Sequence, residues 1–126
     1  MAFAGIGLFS LMQQRLAWVG ERQGLLAQNI ANLDTPGYVP RDAPDFATSL
    51  SQAGVSLNRT APRHIMAAAD PLHIATEAKP AEKSPDGNAV SLEDQLAKVA
   101  DTDLAQQTVT QLYTAYLGMF RNALGK

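Results

Sequence analysis

The 126-residue chain carries 10 Lys and Arg against 12 Asp and Glu, a formal net charge of -2, and 46% of its residues are apolar. This is one domain's worth of chain, and its charge lacks the basic excess of a nucleic-acid binder. The absence of cysteine excludes thiolate catalysis, Cys-ligated zinc and disulfides.

Met1 to Met12 is rich in apolar residues, but it has no basic start, and Gln13-Gln14-Arg15 follows without a cleavage site. No run approaches the roughly 18–20 apolar residues of a membrane span. Neither a cleaved leader nor a direct membrane span is therefore expected. Gly5 and Gly7 leave residues 1–7 frayed or loosely helical. A first long helix is expected over about 8–33. Met12, Leu16, Val19, Leu26, Ile30 and Leu33 recur in alternating steps of four and three, with Gln23 in the one gap. Trp18 and Leu25 lie beside this stripe and widen it. Gly20 and Gly24 each cost about 1 kcal/mol relative to alanine, so the helix needs a partner surface.

The pattern stops at Asn29 to Phe46. Pro36 lacks an N–H and pushes Thr35 out of the helical region. Pro36-Gly37 suits the centre of a type II turn. Asn32 and Asp34 compete with the helix ladder through their side chains, and a structural role is expected for Asn29 and Asn32. Pro40 and Pro44 keep the following chain extended, giving a turn and loop over 34–46. Residues 47–90 show no lasting period. They read as an irregular insertion, with short strands at Val55–Leu57 and His73–Ala75, at most one helical turn at Ala67–Ala69, and a turn at Ser84-Pro85-Asp86-Gly87-Asn88.

Ser91 reopens the helical pattern as an N-cap, with Asp94 three residues on. A second long helix is expected over about 91–124. Its stripe reads Leu92, Leu96, Val99, Asp103, Gln106, Thr110, Tyr113, Leu117, Phe120 and Leu124. Val109, Leu112 and Tyr116 run beside it. The polar centre, Asp103, Gln106 and Thr110, is either solvated or a polar layer that sets helix register. The expected fold is mainly α: two long terminal helices packed as an antiparallel coiled-coil-like hairpin, with an irregular or short-strand middle. Such a hairpin leaves Trp18, Leu25, Leu112 and Tyr116 partly exposed, and exposed apolar lines mark contacts with other chains.

Asn29-Ile30-Ala31-Asn32, then Asp34-Thr35-Pro36-Gly37-Tyr38, then Arg41-Asp42 and Asp45-Phe46, resembles the N-terminal signature of bacterial flagellar basal-body rod proteins. The continuation from Asp34 is similar to the proximal members of that family. Ser84 to Asn88, Leu92-Glu93 and Leu117-Gly118-Met119 share the likeness, which covers roughly residues 10–46 and 84–126. The resemblance implies a structural subunit of the rod. Its terminal helices would bundle into the axial structure, placing subunit contacts on stripe residues such as Met12, Leu16, Val19, Leu26, Leu96, Val99, Tyr113 and Phe120. It implies as partners other rod proteins, the rod-to-membrane-ring adaptor and copies of itself. It also implies passage through the flagellar type III export apparatus with the N-terminus uncleaved.

Chemistry finds little to work with. His64 and His73, with Asp70 between them, lack a metal-ligand spacing and read as loop residues. Asp42 and Asp45 form a possible carboxylate pair, but local backbone bonding or an ion pair with Arg41 of a neighbour suits them better. No nucleophile or phosphate-loop motif occurs. No enzymatic activity, cofactor or nucleic-acid partner is expected. The apolar segment around Phe3, Ile6 and Phe9 suits export recognition followed by packing. The other reading of the same two-helix design is a small helical export adaptor or chaperone that caps a secreted substrate.

Overall fold

The computed structural model describes residues 2–53, 76–77 and 87–125. Helix α1 spans Ala2–Ala31, strand β1 Arg41–Asp42, helix α2 Phe46–Ala53, strand β2 Thr76–Glu77 and helix α3 Leu92–Ala123. The chain is mainly helical, and α1 packs on α3 along their lengths. Phe9 meets Tyr113, Tyr116 and Phe120, Gln23 meets Asp103 and Gln106, and Asn29 meets Gln95. The expected strands at Val55–Leu57 and His73–Ala75, the turn at Ala67–Ala69, and His64, Asp70 and His73 lie outside the described residues.

Helix α1 begins at Ala2, six residues before the expected start at residue 8, so residues 2–7 are helical rather than frayed. The reason is packing beyond them. The Phe9 ring centroid lies 5.2 Å from Tyr113, 5.1 Å from Tyr116 and 5.8 Å from Phe120. Aromatic pairs at these separations add about 0.5–1.5 kcal/mol each, enough to offset a helical glycine. The side chains of Phe3 and Ile6 lie outside the described residues.

The helix ends at Ala31, two residues before the expected Leu33, because Asn32 intervenes. Its amide nitrogen donates to the Gln28 carbonyl at 2.9 Å, and its oxygen accepts from the Thr35 hydroxyl at 3.2 Å. The turn then closes where Pro36-Gly37 sits. Tyr38 N–H donates to the Thr35 carbonyl at 3.3 Å, and Gly37 has φ +77°. A side chain at Gly37 would meet nothing within 4 Å, so its cost is purely conformational. Gly37→Ala is expected to destabilise the chain by about 1–2 kcal/mol. An unchanged urea midpoint would show that the turn does not hold this backbone in solution.

The stretch after the loop is not irregular at its start. Asp45 caps α2, with Oδ2 accepting from Thr48 N–H at 3.2 Å and Oδ1 from the Thr48 hydroxyl at 2.7 Å. Phe46 through Ala53 is helical as a result. Strand β1 pairs antiparallel with β2, Arg41 opposite Glu77 and Asp42 opposite Thr76. The second long helix follows its caps closely. Ser91 Oγ accepts from Asp94 N–H at 3.4 Å, and Gly125 closes the far end at φ +70°.

On α1 the buried seam is the spaced apolar set: Met12, Val19 and Leu26 are buried, with Leu16 and Ile30 half-buried beside them. On α3 the seam is rotated from the expected stripe. Its buried residues are Gln95, Thr102 and Val109, spaced by seven, with Val99, Tyr113, Tyr116 and Leu117 half-buried. Leu92, Leu96, Phe120 and Leu124 of the apolar stripe are exposed, as is Leu112. The polar seam is tolerated because its groups are satisfied. The Thr102 hydroxyl donates to the Lys98 carbonyl at 2.7 Å, and the Gln95 oxygen accepts from Asn29 at 2.8 Å. At the polar centre, Gln23 Nε2 donates to Asp103 Oδ1 at 3.0 Å and Gln106 Oε1 at 2.8 Å. Asp103 and Gln106 thus bridge to α1 while remaining exposed. Thr110 does not join them; its hydroxyl donates to the Gln106 carbonyl of its own helix at 2.9 Å.

Candidate functional site

The signature loop folds back onto α1, and two side chains of that helix hold it. The first is Asn29, which is 1% exposed. Its amide nitrogen donates to the Arg41 carbonyl at 2.7 Å and to Gln95 Oε1 at 2.8 Å. Its oxygen accepts from Arg41 N–H at 2.9 Å and from the Tyr38 hydroxyl at 3.2 Å. Both donors and both lone pairs of the amide are therefore used. A helix-terminal asparagine normally satisfies its own backbone; this one holds another segment's backbone in both directions. It is placed there because α1 ends two residues later and Pro36-Gly37 returns the chain.

The second is Trp18, which is 5% exposed rather than lying on an open line. Its indole N–H donates to the Pro44 carbonyl at 2.7 Å. The Phe46 ring stands edge-on to it at 6.2 Å. The Arg15 guanidinium lies 4.6 Å from the Trp18 ring centroid and 4.8 Å from that of Phe46. Burial and the nearby Arg22 charge lower the pKa of Arg15 below the usual guanidinium value. Pro44 of the loop and Phe46 at the start of α2 thus pack against this tryptophan.

Between the two anchors lies an ion pair. Arg22 Nε donates to Asp42 Oδ1 at 2.8 Å and Arg22 NH2 to Oδ2 at 3.1 Å. Lys98 Nζ stands 3.6 Å from Asp42 Oδ2. These side chains are only 17–27% exposed, so the pair is better shielded than an ordinary surface bridge. Arg22 and Lys98 of this chain are thus among the partners of Asp42. Asp45 bonds to Thr48 at the α2 cap, which lowers the Asp45 pKa.

The remaining signature residues divide by position. Pro40 is buried, Ile30, Asn32, Tyr38 and Phe46 are half-buried, and Asp34, Thr35, Pro36 and Gly37 form the exposed tip with Arg41 beyond it. Leu25 is half-buried on α1. Sequence spacing did not single out Arg15, Arg22, Gln95 or Lys98 as parts of the site. Arg15, Trp18 and Arg22, at steps of three and four, do share one helix face, and that is the available signal. Gln95 and Lys98 gave none.

Among the described residues no group of three or more His, Asp or Glu is placed to hold a metal ion, and no helix is long and apolar enough to cross a membrane. The polar groups of this site bond to other groups of the chain itself, backbone and side chain. That makes the site a structural clamp within a helical module. No family model matches the chain. Curated relatives do. The chain is 36% identical to the flagellar basal body rod protein FlgB of Yersinia enterocolitica over 113 residues, 81% of this chain and 82% of that one. It is 38% identical to FlgB of Salmonella typhimurium and 39% identical to FlgB of Escherichia coli, each over 106 residues, 75% of this chain and 76% of the relative. The chain belongs to the family of the flagellar basal body rod protein FlgB. These relatives are named as rod proteins and not as enzymes.

Proposed function

We propose that the chain is a structural subunit of the flagellar proximal rod, acting as a single rod-type domain over its whole length. Its long helices work as an antiparallel coiled-coil-like hairpin whose outer faces are finished by neighbours in the axial drive shaft. Those neighbours are other rod proteins, the rod-to-membrane-ring adaptor and copies of itself. The subunit reaches the rod, where it crosses the periplasm, through the flagellar type III export apparatus without a cleaved signal peptide.

The observation that supports assembly is the outer side of α3. Leu104, Leu112 and Met119, at steps of eight and seven, are 65%, 56% and 59% exposed. A line of large apolar side chains on one helix face costs solubility in a monomer and is relieved by burial against another chain. Leu96 extends the exposed apolar surface beside that line.

The test is a chain carrying Leu112→Asp with Met119→Asp. Both positions are exposed, so each change is expected to move folding stability by no more than about 0.5 kcal/mol. Purified basal bodies should nevertheless lose the subunit, and cells relying on the variant should not swim. Normal incorporation would remove this face from the assembly. If the unaltered protein stayed in the cytoplasm and never co-purified with basal bodies, the export-adaptor reading would take its place.

A further inference from the structure

We infer that Asn29 and Asp42 form a latch through which docking of α3 orders the signature loop. The loop touches the helix pair at two successive residues, and both helices contribute a side chain at each. Arg41 is held through its backbone by Asn29, whose second donor hydrogen goes to Gln95 of α3. Asp42 is held through its carboxylate by Arg22 of α1 and Lys98 of α3. Gln95 and Lys98 are three residues apart on α3, so they share a face; Gln95 meets Asn29 of α1 and Lys98 meets Asp42 of β1.

The two partners of Asn29 differ in sequence distance. Arg41 is 12 residues away and Gln95 is 66. The near contact can form on α1 alone, but there water competes for the same amide. Once α3 is in place, Asn29 and Gln95 are 1% and 2% exposed, and water no longer competes for these bonds. The same hydrogen bonds then hold the loop more firmly. Loop order is therefore conditional on a helix that arrives late in the sequence, and the arrangement of residues 38–46 reports whether the two helices are paired.

The free chain supplies its own probe. Trp18 is the only tryptophan, and it is covered by Pro44 and Phe46 of the loop region. It lies about 16 Å along α1 from Asn29, too far for a change at Gln95 to disturb it except through the loop. In the full-length protein, Gln95→Leu removes the acceptor for Asn29 while keeping the apolar stem. Acrylamide quenching of Trp18 should rise, and hydrogen exchange at the Arg41 amide should quicken by about tenfold, with helical circular dichroism retained. Gln95→Glu keeps an acceptor and should stay near the unaltered protein in both readouts.

Val109→Ala is the control, because it weakens the same seam at a buried aliphatic side chain that makes no hydrogen bond to the loop. Equal Trp18 exposure in the Gln95→Leu and Val109→Ala variants would overturn the latch, since general loosening would then explain both. Unchanged Trp18 and Arg41 signals in Gln95→Leu would overturn it too. If Gln95→Leu does not fold, Lys98→Ala carries the same two readouts from a half-buried position. A loosened loop on intact helices supports the latch, and an undisturbed loop refutes it.

Discussion

Leu26→Ala is expected to destabilise the free chain by about 2–5 kcal/mol, among the largest effects of any single truncation. Leu26 is fully buried, one helical heptad from Val19 and two from Met12. The opposing seam of α3 supplies only Val109 as a buried aliphatic side chain; the other buried positions there are Gln95 and Thr102. A polar side chain whose hydrogen bonds are already made cannot slide to fill a void as a leucine can. The cavity left at Leu26 should therefore collapse poorly, and collapse is what separates the low end of that range from the high end. The loss matters because small domains are stable by only about 5–15 kcal/mol in all. Urea unfolding followed by circular dichroism and by Trp18 fluorescence measures it. Leu112→Ala is the companion, 56% exposed and expected to stay within about 0.5 kcal/mol. If the two variants unfold at the same urea concentration, the seam described here is not the one that holds the helices together.

The contrast between these leucines also says what could be read from sequence. On α1 the seam is apolar, so the spacing of Met12, Val19 and Leu26 identifies the face that is buried. On α3 the seam contains Gln95 and Thr102, and an apolar pattern cannot point to them. It points to Leu92 and Leu96, which stand on exposed flanks. The rule that apolar residues mark the inside fails where buried polar groups find partners, here Asn29 of α1 for Gln95 and the Lys98 carbonyl of the same helix for Thr102. Trp18 fails for a related reason. It sits beside the stripe, and what covers it is a proline-spaced loop whose return path depends on contacts at Asn29 and Asp42. The turn at Pro36-Gly37 was legible because its cause is local: a missing N–H and a residue free to take positive φ. Helix α2 had a local signal too, Asp45 followed by Thr48, but the prolines and hydroxyl residues around it read as coil. Short-range causes survived translation into sequence rules, and pairings across 20 or 66 residues, as in Arg22–Asp42 and Asn29–Gln95, did not.

Asn29→Ala is expected to cost about 3 kcal/mol or more, as much as emptying part of the apolar core. The methyl group that remains can neither donate nor accept. Four hydrogen bonds are lost at once: two to the Arg41 backbone, one from the Tyr38 hydroxyl and one to Gln95. Not all four partners suffer equally. Arg41 is an exposed residue and Tyr38 half-buried, so water can replace part of what they lose. Gln95 is 2% exposed and keeps a stranded acceptor, which alone costs about 1–3 kcal/mol. That asymmetry makes a double-mutant cycle decisive. Gln95→Ala in the Asn29→Ala background removes the stranded group, so the double variant should be less destabilised than the sum of the two single variants by about 1–2 kcal/mol. Strict additivity would mean that Asn29 and Gln95 do not share a sealed polar contact. The loop would then be fastened to α1 by its own short-range bonds, and the second long helix would pack on the first without influencing it.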